Sequence, residues 1–225
     1  MSGLFVTGTD TGVGKTLAST ALLHALRAGG TDAAGMKLPA SGCEETAEGW
    51  RNDDALSLVA ASAPRLSYAD VNPYALPLPL APEIAARRAG VEVRLEVLEA
   101  AYEWLHNQSN IVVVEGVGGW LAPLSASLDR IDLVRVLRLP VVLVVGMRLG
   151  CINHARLTAR AIAADGARLV DWIASHADPE MQCQDEKFDI LRQRLDAPCR
   201  GRLPHMPGAD PLLLAQYLTI PQPGQ

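Results

Sequence analysis

The chain has 225 residues, 49% of them hydrophobic, with 20 lysines and arginines against 25 aspartates and glutamates and a formal net charge of −5. That length suits one domain with a sizeable core, and the acidic balance excludes nucleic acid as the main partner, because phosphate backbones select basic surfaces. Cys43, Cys151, Cys183 and Cys199 form no C-x-x-C pair and no zinc-spaced histidine cluster accompanies them, so they read as reduced thiols of a cytoplasmic protein. No basic-then-apolar leader is visible, and the longest apolar run, 141–145, is far too short to span a bilayer.

In chain order, a strand is expected over 4–7 and a helix over 16–28, with Leu17, Ala21, Leu22, Ala25 and Leu26 on one face and Gly29-Gly30 ending it. A weakly hydrophobic strand follows at 32–37, then a loop over 38–48 and a short helix over 52–61. Prolines 73, 77, 79 and 82 mark 72–82 as an ordered loop or lid. A helix over 92–106 turns Val93, Val97, Leu98, Ala101 and Leu105 inward. Runs 111–114 and 141–145 read as central parallel strands covered on both faces. A helix at 153–164 leads to an apolar run at 169–174, and helices at 185–195 and 210–218 close the chain, the last capped by Asp210 with Pro211 at its first position. The tail 221–225 is expected to fray. Alternating strands and helices imply a three-layer α/β domain: a mostly parallel sheet flanked by helices, with ligands at the carboxyl ends of the strands.

The strongest signal is Gly8-Thr9-Asp10-Thr11-Gly12-Val13-Gly14-Lys15-Thr16, a glycine-rich turn between the first strand and the first helix. Such a P-loop points backbone N–H groups and a helix N-terminus at phosphates. Lys15 would reach the β/γ-phosphates and Thr16 would hold Mg²⁺. The usual spacing puts a glycine at position 9; here Thr9 stands there and the glycine is Gly8, one step back.

Other strand ends supply partners. Lys37, one of only three lysines, ends the second strand and could neutralise a transferring phosphoryl group or hold an anionic substrate. Glu115 ends the apolar run 111–114 beside the P-loop, as a magnesium-ligating carboxylate does, and glycines 116, 118 and 119 after it let a substrate approach the backbone. Asp54 at a helix start is a weaker candidate for the same ion. After 141–145, Gly150 and Asn153 suit a turn into a helix with Asn153 as cap, and His154 is either a base or a packed side chain.

Taken together the motifs resemble the dethiobiotin synthetases, ATP-dependent P-loop enzymes of biotin synthesis. The resemblance rests on the P-loop segment; Lys37 with Ser41-Gly42; Arg51-Asn52 with Asp54-Ala55; and Val71-Asn72-Pro73-Tyr74. It continues through Val114-Glu115-Gly116 with Gly118-Gly119-Trp120 and Leu149-Gly150-Cys151-Ile152-Asn153-His154. It implies that 7,8-diaminononanoate, CO₂ (or bicarbonate) and ATP give dethiobiotin, ADP and phosphate, with Mg²⁺ held by Thr16, Asp54 and Glu115 and with Lys37 and Lys15 catalytic. ATP would lie along Gly12, Val13, Gly14, Lys15, Thr16, Leu17, Asp54, Glu115, Gly116, Val117 and Gly118, its base near Ser175, His176, Pro204, His205 and Met206. The diamine would meet Thr11, Ser41, Gly118, Leu149, Gly150 and Asn153 near a homodimer interface. The chain departs from the family pattern at Leu38, which displaces a proline to Pro39, at Ser175 in place of an asparagine, and at Glu83 in place of a histidine. Two rivals stand beside this reading. A partition-type switch ATPase would carry an early P-loop lysine and a basic C-terminal helix, and neither is present. A related amidoligase would need an ammonia source.

Overall fold

The computed structural model describes residues 3–208 and 210–220, so the expectation for 221–225 lies outside the described residues. Strand β1 (Gly3–Gly8) leads through the glycine-rich turn into α1 (Lys15–Ala28) and β2 (Ala33–Lys37). A side structure follows: β3 (Ala40–Ser41), the hairpin of β4 (Glu44–Thr46) and β5 (Gly49–Arg51), α2 (Asp53–Ala61), α3 (Tyr68–Val71), β6 (Ala75–Leu76) and α4 (Pro82–Ala89). The chain then returns to the sheet through α5 (Leu95–Gln108), β7 (Ile111–Gly119), α6 (Arg130–Val136), β8 (Val141–Gly146), α7 (Cys151–Ala164) and β9 (Leu169–Ser175). It closes with α8 (Gln184–Arg194), β10 (Cys199–Leu203) and α9 (Pro211–Leu214).

Six strands form one parallel sheet in the order β10-β9-β8-β1-β7-β2. Every residue of β1 and β8 is buried although successive side chains point to opposite faces, so helices cover the sheet on both sides. The main core runs from Phe5, Val6 and Val112–Val114 out to Leu23, Leu58, Leu98 and Leu133. A second cluster, with Trp172 at its centre, joins Leu143 and Val145 to Leu191 under α7 and α8. Because β1 pairs with β8 on one side and β7 on the other, the strand order reverses there, and the P-loop leaves the middle of the sheet at that switch point.

Several expectations need correction. The loop expected over 38–48 contains β3 and β4, and the proline-rich stretch 72–82 contains β6, which pairs with β3 in parallel. Helix α5 starts at Leu95 and leaves Val97 exposed, because Leu98, Tyr102 and Leu105 already fill its inner stripe. Helices α3, α4 and α6 and strands β5 and β10 have no counterpart among the expected elements. The last helix stops at Leu214 and continues as a 3₁₀ turn over Ala215–Tyr217. Helix α7 begins at Cys151 with Gly150 as its cap at φ 91°, so Asn153 lies inside the first turn and is no cap. Strand β7 runs on to Gly119, so Glu115 sits within the strand rather than at its end.

Candidate active site

The P-loop is shaped by where a side chain fits. Val13 is fully buried between the ends of β1 and β8. A Cβ at Gly8 would lie 2.6 Å from Val13 Cγ2, and one at Gly146 would lie 2.7 Å from Val13 Cγ1. The position that must lack a side chain is therefore Gly8. Thr9 is accommodated because its Oγ1 accepts the Gly146 N–H at 3.3 Å, tying the turn to β8. Gly14 caps α1 at φ 84°, a left-handed conformation that glycine adopts without strain, and a Cβ there would stand 2.5 Å from Ser175 Oγ. No acidic side chain occupies the first turn of α1, leaving its free N–H groups, with Thr16 and Leu17 among the first residues, suited to an anion.

Lys15 is buried, and its Nζ donates to the loop's own Asp10 carbonyl at 3.0 Å. Burial, above all, pushes its pKa down to about 8, against the pull of Glu115 and with further depression from Lys37. Asp10 also takes the Thr11 N–H on Oδ1 and the Arg148 guanidinium on Oδ2. That ion pair, which the sequence did not reveal, ties the P-loop to the segment between β8 and α7.

Strand register makes the charged cluster. Lys37 on β2 pairs with Glu115 on β7, and Glu115 pairs with Val6 on β1, so the lysine and carboxylate share one level of the sheet just below the P-loop. Lys37 Nζ donates to Glu115 Oε1 at 2.5 Å and to Asp54 Oδ2 at 2.7 Å, and Thr16 Oγ1 donates to Glu115 Oε1 at 2.8 Å. Asp54 reaches this point because Asn52 caps α2, its Oδ1 accepting the Asp54 and Ala55 N–H groups. Burial would lower the Lys37 pKa, but Glu115 and Asp54 outweigh it and raise the pKa above the usual lysine value. Burial likewise opposes ionisation of Asp54, yet the Lys37 charge holds its carboxyl below the ordinary range. Asn72, buried, donates to the Lys37 and Leu38 carbonyls and fixes the end of β2.

Glu115 Oε2 is buried with no hydrogen-bond partner among the described residues. An orphan carboxylate oxygen beside a hydroxyl and a second carboxylate is the donor set that Mg²⁺ completes with phosphate oxygens and waters. Among the described residues no cluster of three or more His, Cys, Asp or Glu side chains offers another metal site.

The remaining expected residues fall in two places. Ser175, buried at the end of β9, lies beside Gly14, and His176 follows it. His176 N donates to the Leu203 carbonyl at 3.0 Å and its own carbonyl lies 3.2 Å from His205 Nδ1, which draws Pro204, His205 and Met206 to the same edge. Across the P-loop, Gly118 adopts φ 66° beside Thr11, while Leu149, at 83% exposure, and Asn153 stand out from the surface. Ser41, on β3, contributes its carbonyl to Asn52 Nδ2 at 3.3 Å. Among the described residues no side-chain hydrogen bond or ion pair joins Leu149 or Asn153 to the lysine–carboxylate cluster.

Comparison with known proteins decides the family. A family model described as an AAA domain (AAA_26) matches residues 2–211. A protein named ATP-dependent dethiobiotin synthetase BioD from Xanthomonas oryzae pv. oryzae is 62% identical over 218 residues, covering 97% of both chains. One of the same name from Xylella fastidiosa is 57% identical over 219 residues with the same coverage. The chain belongs to the dethiobiotin synthetase family. Its fold is shared more widely: the MinC:MinD cell division complex of Aquifex aeolicus matches with a TM-score of 0.54 at 15% identity, over 91% of this chain and 82% of that one. A ParA family ATPase from Chlorobium tepidum matches at 0.52 and 15%, over 95% and 89%. These two show the P-loop fold alone. In this chain the side structure from β3 to α4 supplies Asp54, Asn52 and Asn72. Their roles as cap and strand anchor follow from tertiary contacts, for which the sequence offers only the Asn52-Asp53-Asp54 helix-start pattern.

Proposed function

We propose that this chain closes the ureido ring of dethiobiotin from 7,8-diaminononanoate, CO₂ and ATP as a single catalytic domain. The observation that carries the reading is the Lys37–Glu115–Asp54–Thr16 cluster at the mouth of the P-loop, in a chain whose relatives carry that enzyme's name. The site residues are those named above: Gly12 to Leu17 for the phosphates; Thr16, Asp54 and Glu115 for Mg²⁺; and Ser175, His176, Pro204, His205 and Met206 for the base. Thr11, Ser41, Gly118, Leu149, Gly150 and Asn153 would take the diamine.

The chemistry asks for charge neutralisation more than for acid–base groups. An amine with a pKa near 10 is neutral in about one molecule per thousand at pH 7, a cost of roughly 4 kcal/mol. Nearby positive charge favours the neutral form that attacks CO₂, and the resulting carbamate is an anion that the same charge stabilises. The carbamate oxygen attacks the γ-phosphorus and ADP departs, leaving a carbamic–phosphoric anhydride. The second amine attacks the anhydride carbonyl, phosphate leaves, and the five-membered ring closes. Lys37 and Lys15 would follow the negative charge through these steps, and bound Mg²⁺ would add electrostatic stabilisation at the phosphates.

The exposed Leu149, Leu121 and Leu157 favour a homodimer that covers the diamine end of the site. A cytoplasmic location is proposed with this activity; among the described residues no helix is long and apolar enough to cross a membrane. The test is fixation of ¹⁴C-bicarbonate with diaminononanoate and ATP. Diamine-dependent incorporation into a ring product is expected. ATP hydrolysis that ignores the diamine and responds to a protein partner would overturn the assignment in favour of a switch.

A further inference from the structure

Arg130 opens α6 and is only 1% exposed. Its Nη2 donates to the Val117 carbonyl at 2.7 Å, while Nε and Nη1 are buried without a hydrogen-bond partner. No carboxylate pairs with it among the described residues; Asp129, whose charge favours the protonated form, is itself exposed. Burial pushes the guanidinium pKa down to about 10. A cation in the first turn of a helix also opposes that helix's dipole. Each of these features lowers stability, and an apolar side chain of similar volume would fill the place without them.

What the position gains is a grip on the strand that carries the site. Val117 lies two residues beyond Glu115 and directly before Gly118-Gly119. Gly119 pairs with Gly8 across the sheet, and a Cβ on it would stand 3.7 Å from the Gly8 carbonyl oxygen and 3.8 Å from the Thr9 carbonyl oxygen and Asp10 Cα. The strand end thus packs on the floor of the P-loop, and the Arg130 charge is felt at Lys15, whose ammonium it disfavours.

We propose that Arg130 is a positioning residue for the nucleotide's phosphates. It pins the Val117 carbonyl so that Gly118-Gly119 hold the P-loop in place, and it supplies a fixed positive charge behind the cradle. This rests on the reading of the site as one that binds and uses ATP.

The test is Arg130→Met, with Arg130→Lys beside it, in the full chain. Thermal unfolding, nucleotide titration by calorimetry and steady-state ring formation are read on each. The Met variant is expected to melt at the same or a higher temperature. It should bind MgATP about tenfold more weakly, since a nearby fixed charge has gone, and lose about tenfold to a hundredfold in kcat through misplacement of reacting groups. Its KM for the diamine should change less than its affinity for MgATP, since, of the proposed diamine contacts, only Gly118 adjoins Val117. Arg130→Lys, which keeps the charge but not the fork of donors, should recover most of the affinity and little of kcat. Wild-type affinity and kcat in Arg130→Met would overturn the proposal. So would a lowered melting temperature or failure of that variant to fold, since either makes Arg130 a stabilising contact. If the wild type formed no ring product, the enzymatic reading would fall, and the nucleotide titration would still decide the role of Arg130.

Discussion

The two halves of the proposed nucleotide cleft are built on opposite principles. At the phosphate half, Lys37, Glu115 and Lys15 are buried, and strand register sets Lys37 directly opposite Glu115. At the base half, only Ser175 is buried; His176 and Pro204 are half-buried, His205 and Met206 exposed, and one contact at 3.2 Å joins His205 to His176. A charge held by sheet register cannot drift without breaking the sheet, whereas a loop on the edge strands can adjust to what it meets. On the proposed reading, then, this site fixes where phosphorus chemistry occurs more firmly than which base is attached.

Substitutions probe this contrast between buried and exposed halves. Lys37→Ala should have the largest effect: turnover in the ¹⁴C assay falling by about a thousandfold, the upper scale for removing one oriented donor, with nucleotide binding retained by calorimetry. Leaving Glu115 buried without that partner should also lower unfolding stability by about 3–5 kcal/mol. Glu115→Gln should cost about a hundredfold in turnover and move the magnesium dependence to higher concentration, because the orphan oxygen would no longer carry charge. An unchanged magnesium titration would break the metal reading. Gly14→Ala should lose about 1–2 kcal/mol from its left-handed backbone alone, with a further loss from the clash at Ser175. Ser175→Gly in the same chain should return the second part and none of the first, which a double-mutant cycle reads directly. His205→Ala should be the mildest, shifting the KM for ATP by less than about threefold. A tenfold shift would show that the base half is as exacting as the phosphate half.

The P-loop was legible because strand, turn glycines and helix start each leave a mark in the residues themselves. Glu115 and Lys37 were legible for a related reason: a lone charge at the end of a buried apolar run, or one of three lysines at a strand mouth, is hard to explain otherwise. Their contact was not, since it depends on β2 and β7 being neighbours in register. The side structure escaped because β3 and β6 are two residues each and pair only through the fold. Arg130 escaped for the opposite reason. In Asp129-Arg130-Ile131-Asp132-Leu133 three of five residues are charged, which reads as solvated surface, and nothing local says that this arginine turns inward.

The hydrogen bond from Lys15 to the Asp10 carbonyl holds the ammonium against the P-loop's own backbone. An arriving ligand displaces that carbonyl only if it offers oxygens strong enough to draw the ammonium away. A nucleoside or a monophosphate that stops short of Lys15 gains nothing from the exchange, while a triphosphate recovers the lost bond with charge added. On the proposed reading the turn therefore favours nucleotides whose phosphates reach Lys15 over those that stop short of it.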